Sequence, residues 1–117
     1  MTHLRLWTFE VPAEAEEQFV AAYKSDGAWA KLFAAAPGFI RTELWRASDG
    51  LYLTADYWRS AADFDGFQSS LGEAYRKLDL ELEGIAGIES FVGAFELVDS
   101  GLGTAHPFKP LGPATME

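Results

Sequence analysis

Few side chains in this sequence are equipped for chemistry, and their positions narrow what it is. The 117 residues contain no cysteine, which removes thiol nucleophiles, thiolate metal sites and disulfides. His3 and His106 stand at the margins of the chain, with no carboxylate or second histidine at ligand spacing, so no metal site is expected. Ser69-Ser70 has no histidine near it to activate a hydroxyl and reads as a helix cap. The glycines match neither the dinucleotide pattern nor the P-loop. One pair of carboxylates is left, Glu43 and Asp56, which face each other if residues 39–59 close on a two-residue loop. Such a pair raises one pKa and supplies a base. The favoured reading is plainer: two rim groups with Arg41 or Arg46 as counter-ion.

The abundant resource is aromatic: four Trp, four Tyr and nine Phe. Each such ring buries about 150–250 Å², and a chain of this mass folds to a surface of roughly 6,300 Å². The rings nearly saturate one small core, so some should line a pocket or a subunit interface.

The elements that must position these rings follow from periodicity. Residues 3–11 read as a strand, stopped by Pro12, and the acidic turn Glu14, Glu16, Glu17 opens a helix. Ser25-Asp26-Gly27 breaks it before a short helix over 28–35, which Pro37-Gly38 ends. Residues 39–48 and 51–59 form a hairpin about Asp49-Gly50. A two-residue loop would pair Leu44 with Ala55, Thr42 with Tyr57 and Glu43 with Asp56. Ser60-x-x-Asp63 and Ser70-x-x-Glu73 are capping boxes, each opening a helix. The second helix has the seam Leu71, Tyr75, Leu78, Leu82, and Gly84 ends it. Residues 88–98 read as a last strand with Phe91, Gly93, Phe95 and Leu97 alternating.

The order is that of an α+β, ferredoxin-like split βαβ unit: a four-stranded antiparallel sheet with helices on one face. Trp7, Phe9, Trp45 and Trp58 fall on one alternation, and Leu44, Leu53, Ala55 and Tyr57 on the other. Helices cover one of these apolar faces; a second sheet, from an identical subunit on a two-fold axis, covers the other. Residues 1–98 thus form one domain. Residues 99–117 are an irregular Pro/Gly-rich tail whose Leu102, Phe108 and Leu111 are expected to anchor on the partner subunit.

Asp+Glu outnumber Lys+Arg by 18 to 9, a net charge of −9. That excess and the scattered basic residues argue against nucleic acid and against an anionic membrane surface. No apolar run approaches membrane-spanning length and no signal-peptide pattern opens the chain, so a cytoplasmic location is expected.

Several phrases together resemble the antibiotic biosynthesis monooxygenase family of the dimeric α+β barrel superfamily. They are Phe19-x-x-Ala22-Tyr23, Trp29-x-x-Leu32-Phe33, Pro37-Gly38-Phe39, Glu43-Leu44 and Tyr57-Trp58-x-Ser60-x-x-x-Phe64-x-x-Phe67. The resemblance covers about residues 3–98. It implies a homodimer whose two sheets form a barrel, with a small pocket in each subunit between sheet and helices. It also implies oxidation of a small aromatic or hydrophobic metabolite by O₂ with no cofactor. Substrate-pocket candidates are Trp58 and Phe67, by position in the family run, then Trp29 and Tyr75; the alternative for each is core packing. No catalytic residue is assigned. A non-catalytic dimeric ligand-binding protein is the second reading. Heme binding or degradation is a weaker third, because that branch has Trp where Phe67 stands, a His in the region of Tyr75, Arg76 and Lys77, and an Asn near the first strand. This chain has no Asn at all.

Overall fold

The computed structural model describes residues 1–101. Strand β1 (His3–Glu10) is followed by a 3-10 turn (Ala13–Ala15), α1 (Glu16–Tyr23), α2 (Ala28–Ala34), β2 (Phe39–Arg46), β3 (Leu51–Trp58), α3 (Ala61–Glu81) and β4 (Ile88–Glu96). The strands form one sheet in the order β2-β3-β1-β4, with every neighbouring pair antiparallel. The tail anchors Leu102, Phe108 and Leu111 lie outside the described residues.

Local chemistry explains the breaks. Lys24 turns extended after α1, and Gly27 opens α2. A Cβ on Gly27 would sit 2.5 Å from the carbonyl oxygens of Ala21 and Ala22, so only glycine lets the chain pass α1 so closely. Ser60 caps α3, its Oγ accepting from the Asp63 amide at 3.1 Å. The second capping box does not open a separate helix. The helix runs on through it with a kink at Leu71 (φ −121°, ψ 20°). Poor helix formers at Ser69, Ser70 and Gly72 weaken that turn without ending it.

The hairpin register differs from the two-residue-loop expectation. Asp49 and Gly50 do take positive φ, 61° and 75°. However, the Ala47 amide donates to the Leu51 carbonyl, while the Leu51 amide donates to Ser48. Ala47 and Ser48 together therefore oppose Leu51, a bulge that moves every pair by one. Thr42 faces Asp56, Glu43 faces Ala55, Leu44 faces Thr54 and Trp45 faces Leu53. Leu44 consequently turns toward the helices and Trp45 away, the reverse of the expected assignment. A second irregularity near Ile40 brings Phe39 opposite Trp58. In β4 the pairing skips Val92, so Phe91 pairs with Trp7 and Gly93 with Leu6. Phe91 thereby faces the helices, and the simple alternation with Gly93 and Phe95 is broken.

The helices cover the sheet face that carries Phe9, Tyr52 and Trp58. Two clusters form beneath them, one around Phe9, Phe19 and Tyr52 and one around Trp29, Phe33, Trp58, Phe64 and Phe67. The Tyr52 hydroxyl donates to Glu16, tying the start of α1 to β3. The seam Leu71, Tyr75, Leu78 and Leu82 packs on the second cluster. On the opposite face Leu4, Leu6, Leu53, Ala55 and Tyr57 share register rows. There Trp45 remains 59% and Phe95 46% exposed. No helix among the described residues is long and apolar enough to cross a membrane.

Because the Ser60 cap fixes where α3 begins, Ser60→Ala should lower stability by about 1 kcal/mol. Urea denaturation should show a lower midpoint with an unchanged slope; an unchanged midpoint would remove the cap from the account of α3.

Candidate active site

A cavity of about 50 Å³ opens between the sheet and the helices. Each of the helices and strands contributes to it. β1 supplies Trp7 and Phe9, α1 Tyr23, and α2 Trp29 and Phe33. Thr42 comes from β2, Thr54 and Asp56 from β3, and Glu89 from β4. Tyr75 and Asp79 project from α3, four residues apart and so on one helix face.

The wall is a continuous set of ring contacts. Phe9 and Tyr23 lie 5.0 Å apart between centroids, Tyr23 and Trp29 6.1 Å, and Trp29 and Tyr75 5.1 Å. Against this wall stands one buried polar pair. Thr42 Oγ1 donates to Asp56 Oδ1 at 2.6 Å, and Asp56 is 9% exposed. Asp56 Oδ2 has no side-chain or main-chain hydrogen-bond partner among the described residues. Burial pushes the Asp56 carboxyl up to about 6, against the smaller opposing effects of the Thr42 hydroxyl and Arg5. The Tyr23 hydroxyl is pushed up to about 12, chiefly by burial. Tyr75 also rises through burial, with Asp79 and Glu89 adding to the shift. Both tyrosines therefore stay protonated near pH 7. Glu89 is raised by loss of solvent and by Asp79. Among the described residues, Trp29 Nε1 is a buried donor without a hydrogen-bond partner.

Arg5 pairs in register with Asp56, yet no ion pair within 4 Å joins them among the described residues. The guanidinium instead lies 3.9 Å from the Phe64 ring centroid and 4.7 Å from that of Phe91.

The four expected pocket residues divide into two layers. Trp29 and Tyr75 line the cavity. Trp58 and Phe67 sit behind it, at 0% and 1% exposure. Trp58 packs on Phe33 at 5.7 Å and Phe67 on Tyr75 at 6.1 Å. The expected Glu43–Asp56 juxtaposition does not occur. Glu43 lies on the outer face, bonded by Arg41, Trp45 and Tyr57. The plain reading, with Arg41 as counter-ion, thus holds for Glu43. It fails for Asp56, which is buried on the helix face.

A profile described as antibiotic biosynthesis monooxygenase matches residues 3–78, more than half of the chain. The chain belongs to the antibiotic biosynthesis monooxygenase family. Solved structures of similar fold include a variant of SnoaB, a cofactor-independent oxygenase from Streptomyces nogalater. It has a TM-score of 0.60 and 22% identity over 85% of this chain and 95% of that one. A monooxygenase from the ActVA-Orf6 gene of Streptomyces coelicolor, in complex with Nanaomycin D, gives 0.66 and 19% over 87% and 92%. Rv0793 from Mycobacterium tuberculosis gives 0.62 and 18% over 87% and 100%. At these identities the likeness is one of fold. No curated protein sequence matches the chain.

In this family member the polar centre of the cavity, Thr42 with Asp56, escaped the sequence reading, although one signal for it was present. Asp56 lies two residues from Trp58 and so shares its face in any register. The partner could not be read, because the bulge at Ala47–Ser48 decides it.

The Asp56 pKa is raised from 3.8 in the unfolded chain to about 6 in the fold. The folded state therefore binds this proton more tightly, and the ionised form weakens the fold as pH rises from about 4 through 6. Asp56→Asn should accordingly stabilise the protein near pH 7 by up to about 3 kcal/mol. The gain should shrink steeply toward pH 4 and vanish near pH 3, below the unfolded value of 3.8, where wild-type Asp56 is protonated in both states. Paired denaturation curves at the two ends of that range measure it; equal stability near pH 7 would show that Asp56 is not buried as a charge.

Proposed function

We propose that this family member binds a small, flat aromatic or hydrophobic metabolite in the ring-walled cavity and oxidises it with O₂, without a bound cofactor. The observation that carries the reading is the cavity itself: apolar rings around one buried polar pair, in a chain of this family. The descriptions of SnoaB as a cofactor-independent oxygenase and of the ActVA-Orf6 protein as a monooxygenase support it. Such chemistry asks little of a protein. A phenol-like substrate loses a proton, and its carbanion passes an electron to O₂ in a site that excludes water. Overall, a ring methylene and O₂ become a carbonyl and water. A cavity of about 50 Å³ has room for a few waters, so the rings of α2 and α3 must part to admit a substrate.

The second reading is a binding protein that converts nothing, favoured by the small volume. Oxygen-electrode assays with anthrone- and quinol-type compounds, run aerobically and anaerobically, decide between the two. O₂ consumption matched to product is expected. A compound that raises the melting temperature but is never converted would favour binding alone. Neither turnover nor stabilisation across the panel would sink both.

We further propose that the working form is a homodimer, its outer sheet faces packed together. Trp45 and Phe95 leave a broad apolar face that a stable monomer rarely exposes. Sedimentation at micromolar concentration should give about twice 12.9 kDa. Phe95→Asp should shift the protein toward the single-chain mass; a wild-type monomer would refute the dimer.

A further inference from the structure

Resting on the oxygenase reading, we propose that Asp56 is the residue that takes the substrate's hydroxyl proton, and that the cavity selects aromatic molecules whose hydroxyl arrives un-ionised. The argument begins with what holds Asp56. Thr42 donates to Oδ1 at 2.6 Å, which fixes the carboxylate and commits one oxygen. Oδ2 has no partner of its own among the described residues. The carboxylate is 9% exposed, and the nearest cation in register, Arg5, is held against Phe64 and Phe91 instead of pairing with it. A buried anion with an uncommitted oxygen is satisfied by a donor. The O–H of a phenol or enol supplies one, with its ring lying on the aromatic wall.

The groups around Asp56 sort substrates by charge. β1 brings Arg5, β2 Thr42, α1 Tyr23 and α3 Tyr75 and Asp79, while β4 brings Glu89. Among the described residues, the ionisable groups that line the cavity are acids or tyrosines, with no Lys or Arg. A carboxylated substrate would meet Asp56, Asp79 and Glu89, all repulsive.

In the transfer, the substrate O–H bond breaks and its electron pair stays on the substrate oxygen. The proton goes to Asp56, which becomes a carboxylic acid. The cavity's charge is conserved, but it moves from a compact carboxylate to an anion delocalised over a ring system. Rings and a buried indole N–H hold that form more easily. The phenolate so formed is the species that O₂ oxidises.

Three probes of one ring size test this: naphthol, naphthalene and naphthoate, titrated by fluorescence or calorimetry. At about pH 8 naphthol should bind roughly ten- to hundredfold more tightly than naphthalene, and naphthoate should bind most weakly. The naphthol advantage should fade as pH drops below about 6 and be absent in Asp56→Asn, whose melting curve reports that it is folded. Thr42→Val, which removes a bond that favours the ionised form, should move that loss to higher pH. Equal binding of naphthol and naphthalene, an advantage that survives Asp56→Asn, tight naphthoate binding, or no binding of any probe would each overturn the proposal. Anthrone oxidation alongside Asp56-independent naphthol binding would sink this inference and leave the oxygenase reading intact. Asp56-dependent, pH-linked binding without oxidation of any substrate would do the reverse.

Discussion

One extra residue in the β2–β3 turn governs what the two sheet faces contain. With Ala47 and Ser48 together opposing Leu51, the even-numbered residues Thr42 and Leu44 face the helices, and Glu43 and Trp45 face away. Without the bulge, two carboxylates would share a row and Thr42 would lie opposite a tyrosine. The bulge therefore separates the chain's charges into two environments. Glu43 has three donors on an open face. Asp56 has one donor under a roof of rings.

That separation has an energetic sense. A carboxylate buried among aromatic side chains is costly unless hydrogen bonds or a counter-ion offset it. The Thr42 bond offsets only part, as the raised Asp56 pKa shows. A carboxyl with so perturbed a pKa, set in a cavity, is a candidate for chemistry. Two ring layers make the burial possible. Trp29 and Tyr75 form the surface the cavity meets, and Trp58 and Phe67 brace them from behind.

Much of this architecture was legible in local sequence. The Pro12 stop, the Gly27 break, the Ser60 cap and the Leu71–Leu82 seam are set by residues close together in the chain, so their types suffice. Features decided by pairing between distant strands were not legible. Asp49-Gly50 announces a tight turn, but one bonding choice at Ser48 settles the register, and nothing in the dipeptide encodes it. The bulge at Val92 likewise depends on how β4 fits β1. At the site, the run from Tyr57 to Phe67 supplies none of the cavity lining, and its Trp58 and Phe67 pack behind the wall. Residue types could not tell rings that touch space from rings that brace them, because both need the same side chains.

Arg5 has a consequence of another kind. Its guanidinium rests against Phe64 on α3 and Phe91 on β4, so the one basic group in register with Asp56 is clamped in place. A flexible cation would swing toward whatever anion formed nearby and quench it at short range. A clamped one sets a constant potential across the cavity instead, felt by every occupant and following none. Lysine, with a compact charge on a flexible stem and no planar face to stack on the rings, could not serve in its place.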